Sequence, residues 1–186
     1  KKIIEGFNNP NYRNEYKMIS NNPIYYEVKF SYEIPGIEEF DESLVKGVLK
    51  DYENKIKEIS YDILASKVLE ELISNKEMDK YVIKIDKGLK KAGLLRLFDN
   101  KYLKEFVKIL VPYEEEIKYQ NLIKDYKEIG MSFIYKYDSN ENVNPTMFVN
   151  DMELLVNKEF INNNLDNQIS FDKMNIKLVV KNKEEE

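Results

Sequence analysis

The sequence predicts an α+β domain: an antiparallel sheet of about four to five strands, one face of it covered by a long helix over about 38–74 and by further helices. Three observations carry that expectation. Residues 24–34 alternate apolar and polar side chains. Residues 38–74 repeat apolar positions at steps of three and four. Short alternating runs recur at 131–137 and 176–180. Period two marks a strand with one wet face, and steps of three and four mark an amphipathic helix.

Each element follows from its own residues. Residues 1–23 are polar and turn-rich, with Asn8-Asn9-Pro10 and Asn21-Asn22-Pro23, and read as an arm or linker. The domain is expected over 24–181, with 182–186 as a frayed tail. In the first strand Ile24, Tyr26, Val28, Phe30, Tyr32 and Ile34 form the apolar face. Tyr25 falls among the polar residues of the other face, and Pro35-Gly36 ends the strand. The helix at 38–74 opens with Glu38, Glu39, Asp41 and Glu42, where the helix dipole favours acids. Unbroken, it would be about 55 Å long. A compact chain of this size has a radius of gyration of only about 16 Å. The helix must therefore kink near Gly47, protrude, or pack against a second copy.

Residues 81–86 read as a short strand. Helices are expected over 87–97 and 101–110, with Asp99-Asn100 as the turn between them and Pro112 as the stop. A third runs over 113–129, with Gly130 placed for a C-terminal cap. Then come a strand at 131–137, a polar loop at 138–145, two strands within 146–157 joined at Asn150-Asp151, an asparagine-rich loop at 162–167 and a final strand at 176–180.

Composition removes several chemistries. The chain has no His and no Cys, which excludes an imidazole base, a thiolate nucleophile, a disulfide and the usual zinc ligands. No cofactor or metal is expected. The net charge of −5 opposes general nucleic-acid binding, which needs a basic face. Lys, Asn, Ile and Tyr are used heavily, as A/T-rich codons would dictate. No stretch approaches the roughly 20 apolar residues of a membrane span. The chain opens on Lys1-Lys2-Ile3-Ile4 without an initiator Met. A secretory or lipoprotein signal removed upstream would account for that and places the protein outside the cytoplasm, with a cytoplasmic location as the alternative.

Few motifs carry chemistry. Ser43-Leu44-Val45-Lys46 has the Ser-x-x-Lys spacing that sets an amine beside a hydroxyl, but its companion motifs are missing and Lys46 suits a solvated helix face. Asp138-Ser139-Asn140-Glu141-Asn142 resembles the start of a calcium loop. The match fails at Val143, where glycine belongs, and at Val149, where a chelating acid belongs. Glu114-Glu115-Glu116 reads as a solvated helix start. Residues 76–108 hold ten basic side chains against five acidic ones, interleaved with leucines. Within this stretch Lys84, Lys87, Lys90, Lys91 and Arg96 form a candidate face for an anionic partner or an anionic membrane surface.

The functional expectation is a non-enzymatic, extracytoplasmic binding or interaction domain of cell-envelope or lipoprotein type, meeting an unidentified protein or envelope partner. Two alternatives stand beside it. One is a cytoplasmic or phage-type accessory protein that dimerises through the 38–74 helix. The other is a hydrolase built on carboxylates.

Overall fold

The structure, a computed structural model, describes residues 11–33, 80–87 and 106–182. The chain divides into two compact units. One holds Tyr16–Val28, Glu77–Ile85 and Lys104–Glu186, and nearly all the described residues belong to it. The other holds Lys1–Glu15, Lys29–Lys76 and Asp86–Leu103.

The sheet overturns the expected architecture. It has seven strands in the order β1-β2-β3-β4-β5-β6-β7 and is mostly parallel, where an antiparallel sheet of four to five strands was expected. The strands are β1 Asn11–Asn21, β2 Ile24–Glu33, β3 Lys80–Lys84, β4 Val107–Pro112, β5 Ser132–Lys136, β6 Glu153–Val156 and β7 Lys177–Val180. Each neighbouring pair from β2 to β7 runs parallel. The two-residue link Asn22-Pro23 makes β1 and β2 an antiparallel hairpin. The segment expected to be an arm thus supplies a strand. The helices described are short: α1 Gln120–Glu128, α2 Lys158–Asn163 and α3 Gln168–Lys173. The expected 38–74 helix, Ser43 and Lys46 included, lies outside the described residues.

Parallel pairing explains why the sequence misled. A parallel sheet is covered on both faces, so its strands read as apolar runs without a clean wet face. Val107, Ile109, Leu110 and Val111 are all buried, and 107–110, expected to close a helix, begin β4 instead. In β2 the buried and exposed faces are not those the alternation predicts. Tyr25 is fully buried, while Ile24 is 41% exposed. The segment 146–157 holds one strand, β6, after a 3-10 turn at Pro145–Met147. The asparagine-rich run is the end of α2 and a 3-10 turn at Leu165–Asn167. The cap at Gly130 was legible: with φ 84° it lets Met131 N–H reach Tyr126 O at 3.0 Å.

Seven buried residues, one from every strand, share a single core cluster: Ile19, Tyr25, Val82, Leu110, Ile134, Leu155 and Val179. A flat sheet cannot bring its first and last strands to one cluster, so this sheet curls. Asn182, just past β7, closes one end of the curl. Its N–H donates to Ile19 O and its side chain to Met18 O, both at 2.9 Å. Outside the curl, rings from the loops and short helices interlock. Tyr113, Tyr137 and Phe148 meet edge to face at 5.3–5.4 Å, and Phe160 and Phe171 extend the group.

Candidate functional site

Side chains along a strand alternate between faces, so residues two before or two after each core member share the inner face. Curled parallel sheets fill that interior in layers drawn from alternate strands. The even-numbered strands show such a layer. The Tyr25 hydroxyl (β2) and the Lys108 ammonium (β4) both donate to the Glu153 carboxylate (β6), one to each oxygen. Lys80 and Lys108 also lie over the Tyr25 ring at 5.7 and 5.6 Å from its centroid. Burial, and then the bond to Glu153, hold the Tyr25 hydroxyl far above its ordinary pKa. The group is therefore neutral and a committed donor. This is a closed network in which charge and hydrogen bonds are matched.

The odd-numbered strands contribute Ile19, Val82, Ile134 and Val179 to the core. One inner-face step toward the carboxyl ends of β3, β5 and β7 reaches Lys84, Lys136 and Lys181. The corresponding step back along antiparallel β1 reaches Lys17. Four lysines thus occupy one layer, at the end of the sheet where parallel strands place their ligands. Lys181 is buried and ion-paired with Asp138, whose side chain is 54% exposed. Among the described residues, Lys84 and Lys136 make no hydrogen bond or ion pair. Lys84 is exposed and Lys136 half-buried. Glu27, one inner-face step past Tyr25, is 8% exposed and likewise lacks a polar partner among the described residues.

Only two residues of the predicted basic face, Lys84 and Lys87, fall among the described residues. Lys84 ends β3 on the inner face, Lys87 sits in the turn beyond it, and Lys90, Lys91 and Arg96 lie outside the described residues. Lys17, Lys136 and Lys181 were missed. A repeated spacing could have found three of the four: Val82-Ile83-Lys84, Ile134-Tyr135-Lys136 and Val179-Val180-Lys181 each place a lysine two residues after a core aliphatic.

The calcium-like loop has another role. Asn163 Nδ2 donates to Asn140 O at 2.8 Å, Asn164 Nδ2 to Glu141 O at 3.0 Å and Asn167 Nδ2 to Val143 O at 2.7 Å. Asn164 Oδ1 accepts from Val143 N–H at 2.9 Å. The loop's carbonyls are engaged by amides, and among the described residues no group of three or more Asp or Glu could hold a metal. Glu114 and Glu115 open a 3-10 turn at Tyr113–Glu115. Glu116 lies nearby, and its charge adds to burial in raising the Tyr113 and Tyr135 hydroxyls, Tyr135 to about 12.

No family model matches the chain, and no curated protein matches it. Its fold is similar to that of a solved structure described as Vibrio cholerae LapD S helix-GGDEF-EAL (bound to c-di-GMP), with a TM-score of 0.52 and 14% sequence identity. The likeness covers 95% of this chain and 48% of that one, so this chain spans about half the neighbour's length. At that identity the likeness concerns the fold alone. No helix among the described residues is long and apolar enough to cross a membrane.

Proposed function

We propose that the chain is a non-enzymatic binding module that holds an anionic ligand at the carboxyl ends of its parallel strands. The observation that carries the reading is the layer of Lys17, Lys84, Lys136 and Lys181 on alternate strands. Two of the four, Lys84 and Lys136, have no anion of their own among the described residues. Lys136 is half-buried, so its ammonium is partly desolvated, and a phosphate or carboxylate relieves that cost with charge-assisted hydrogen bonds. Asp138, by pairing with Lys181, fixes one lysine in place, while Lys84 and Lys136 are left to the ligand. The neighbour's description names c-di-GMP, a phosphate-bearing dinucleotide, which makes it the first probe to use here. An extracytoplasmic, envelope-associated setting is part of the same proposal, and fractionation of cells expressing the full-length protein tests it.

Calorimetric titration with c-di-GMP, ATP and inorganic pyrophosphate tests the site. The expected result is salt-sensitive binding of at least one of them, weakened roughly tenfold or more by Lys84→Ala with Lys136→Ala. Binding unchanged in that double variant, or no binding by any of the three, would overturn the reading. Turnover of the bound probe would also overturn it, in favour of a hydrolase.

A further inference from the structure

Two acids are buried among the described residues, Glu27 at 8% and Glu153 at 9% exposure. Glu153 takes a donor on each oxygen, whereas Glu27 takes none. Burying an acid without a donor is costly, and such a group in a folded chain calls for an explanation. Ser20 Oγ and Asn157 Oδ1 are the side-chain atoms among the described residues that are both sealed from solvent and unpartnered. The Glu27 oxygens are not among them, so they remain within reach of solvent.

The layers fix what surrounds Glu27. Tyr25, Lys108 and Glu153 form the closed even-strand layer. One inner-face step from each toward the carboxyl ends gives Glu27, Leu110 and Leu155. Glu27 therefore shares its layer with two aliphatic side chains that donate nothing. Below it, Lys108 is committed to Glu153. Above it stand Lys84 and Lys136 of the odd-strand layer, and neither pairs with it. Glu27 is in register with Val82 on β3, and Lys84 lies one inner-face step beyond Val82. Neighbouring layers of a curled sheet are one residue apart, about 3.3 Å. Two unfilled cations thus lie one layer outside an unfilled acid.

We infer that the ligand is a phosphate monoester that also carries a cationic amine, with the phosphate on Lys84 and Lys136 and the amine on Glu27. This rests on the anionic-ligand site proposed above and names the ligand class it takes. Two ammoniums suit a doubly charged group, which a phosphate monoester supplies and a single carboxylate does not. A carboxylate in that interior repels a purely anionic ligand. An amine on the ligand turns the same charge into a charge-assisted hydrogen bond. A short alkyl link between phosphate and nitrogen is enough to span one layer.

The test is calorimetric titration of the full chain with phosphoethanolamine and with ethyl phosphate, which lacks the amine. Wild type should bind phosphoethanolamine about tenfold or more tighter than ethyl phosphate. Glu27→Gln should close that gap while ethyl phosphate binds as well as before or better, because a negative charge has left the site. The variant breaks no bond, so its circular dichroism should stay native. The comparison of the two ligands on wild type keeps the test decisive if the variant fails to fold. Equal affinity of the two ligands, or no binding of phosphoethanolamine, overturns the inference. So does a Glu27→Gln variant that tightens both alike, because Glu27 would then act only as a counter-charge to Lys84. Binding of ethyl phosphate that needs Lys84 and Lys136 but ignores the amine removes this inference and leaves the anionic-ligand reading standing. Both fall if neither ligand binds and c-di-GMP, ATP and pyrophosphate also fail.

Discussion

The even-strand and odd-strand layers of the curled interior make opposite use of similar residues. In the even layer, Glu153 receives both the Tyr25 hydroxyl and the Lys108 ammonium. In the odd layer at the carboxyl ends, Lys84 and Lys136 stand without a counter-charge among the described residues, while Lys181 is paired with Asp138. A closed buried network specifies the fold, and breaking one member strands the rest. An open array contributes little to stability and is free to meet a ligand. Lysine itself carries no meaning here; the presence of its partner does.

The largest expected effect breaks the closed layer. Glu153→Ala leaves the Lys108 ammonium and the Tyr25 hydroxyl without their acceptor, and should cost about 3 kcal/mol or more in denaturant unfolding. Replacing Glu153 by Leu together with Lys108 by Met should recover most of that loss. If the single variant is as stable as wild type, the layer is not the structural one. Next is Asn164→Ala, which removes a 2%-exposed amide that ties the 138–145 loop to α2. Each orphaned buried partner costs about 1–3 kcal/mol, so a fall of about 2 kcal/mol in unfolding free energy is expected. Tyr25→Phe removes one donor and leaves Lys108 on Glu153, and about 1 kcal/mol should be lost.

The pH dependence sharpens the same contrast. Tyr25 and Tyr135 have folded-state pKa values above the unfolded value, Tyr135 at about 12. A group raised in this way contributes its stability fully below about pH 10, and loses it as pH climbs through the folded pKa. Unfolding free energy should fall between pH 10 and 12, and Tyr25→Phe with Tyr135→Phe should flatten that slope. The smallest effect belongs to the open layer. Lys84→Ala and Lys136→Ala should each shift stability by no more than about 0.5 kcal/mol, read in the same denaturant series. A larger loss would mean that these lysines hold the sheet together and are not reserved for a ligand.

Local chemistry was legible in the sequence wherever it depends on neighbours along the chain. The strands β2, β3, β5 and β7 were found within a few residues, and Gly130 was placed correctly at the end of α1. The failures share one cause. The run Val107–Pro112 has helix-like spacing and a strand's composition, and a short apolar run does not announce which it will become. Residues 162–167 look like a loop because asparagine favours turns, yet Asn163 and Asn164 end a helix and use their amides to hold the loop opposite. Tyr25 was assigned to the wet face because a one-sided sheet was assumed.

By itself the sequence determined where β2, β3, β5 and β7 fall, where Gly130 ends α1 and which catalytic groups are absent, because propensity, periodicity and composition are properties of the linear chain. Only the tertiary structure decided that the strands from β2 to β7 run parallel, that the sheet curls, and that Glu153 meets Lys108 while Lys136 meets no counter-ion among the described residues. Whether a lysine is paired depends on residues about 45 positions away, as Glu153 is from Lys108 and Asp138 from Lys181. Pairing across the curled interior is set by strand order and register, and no local pattern encodes either.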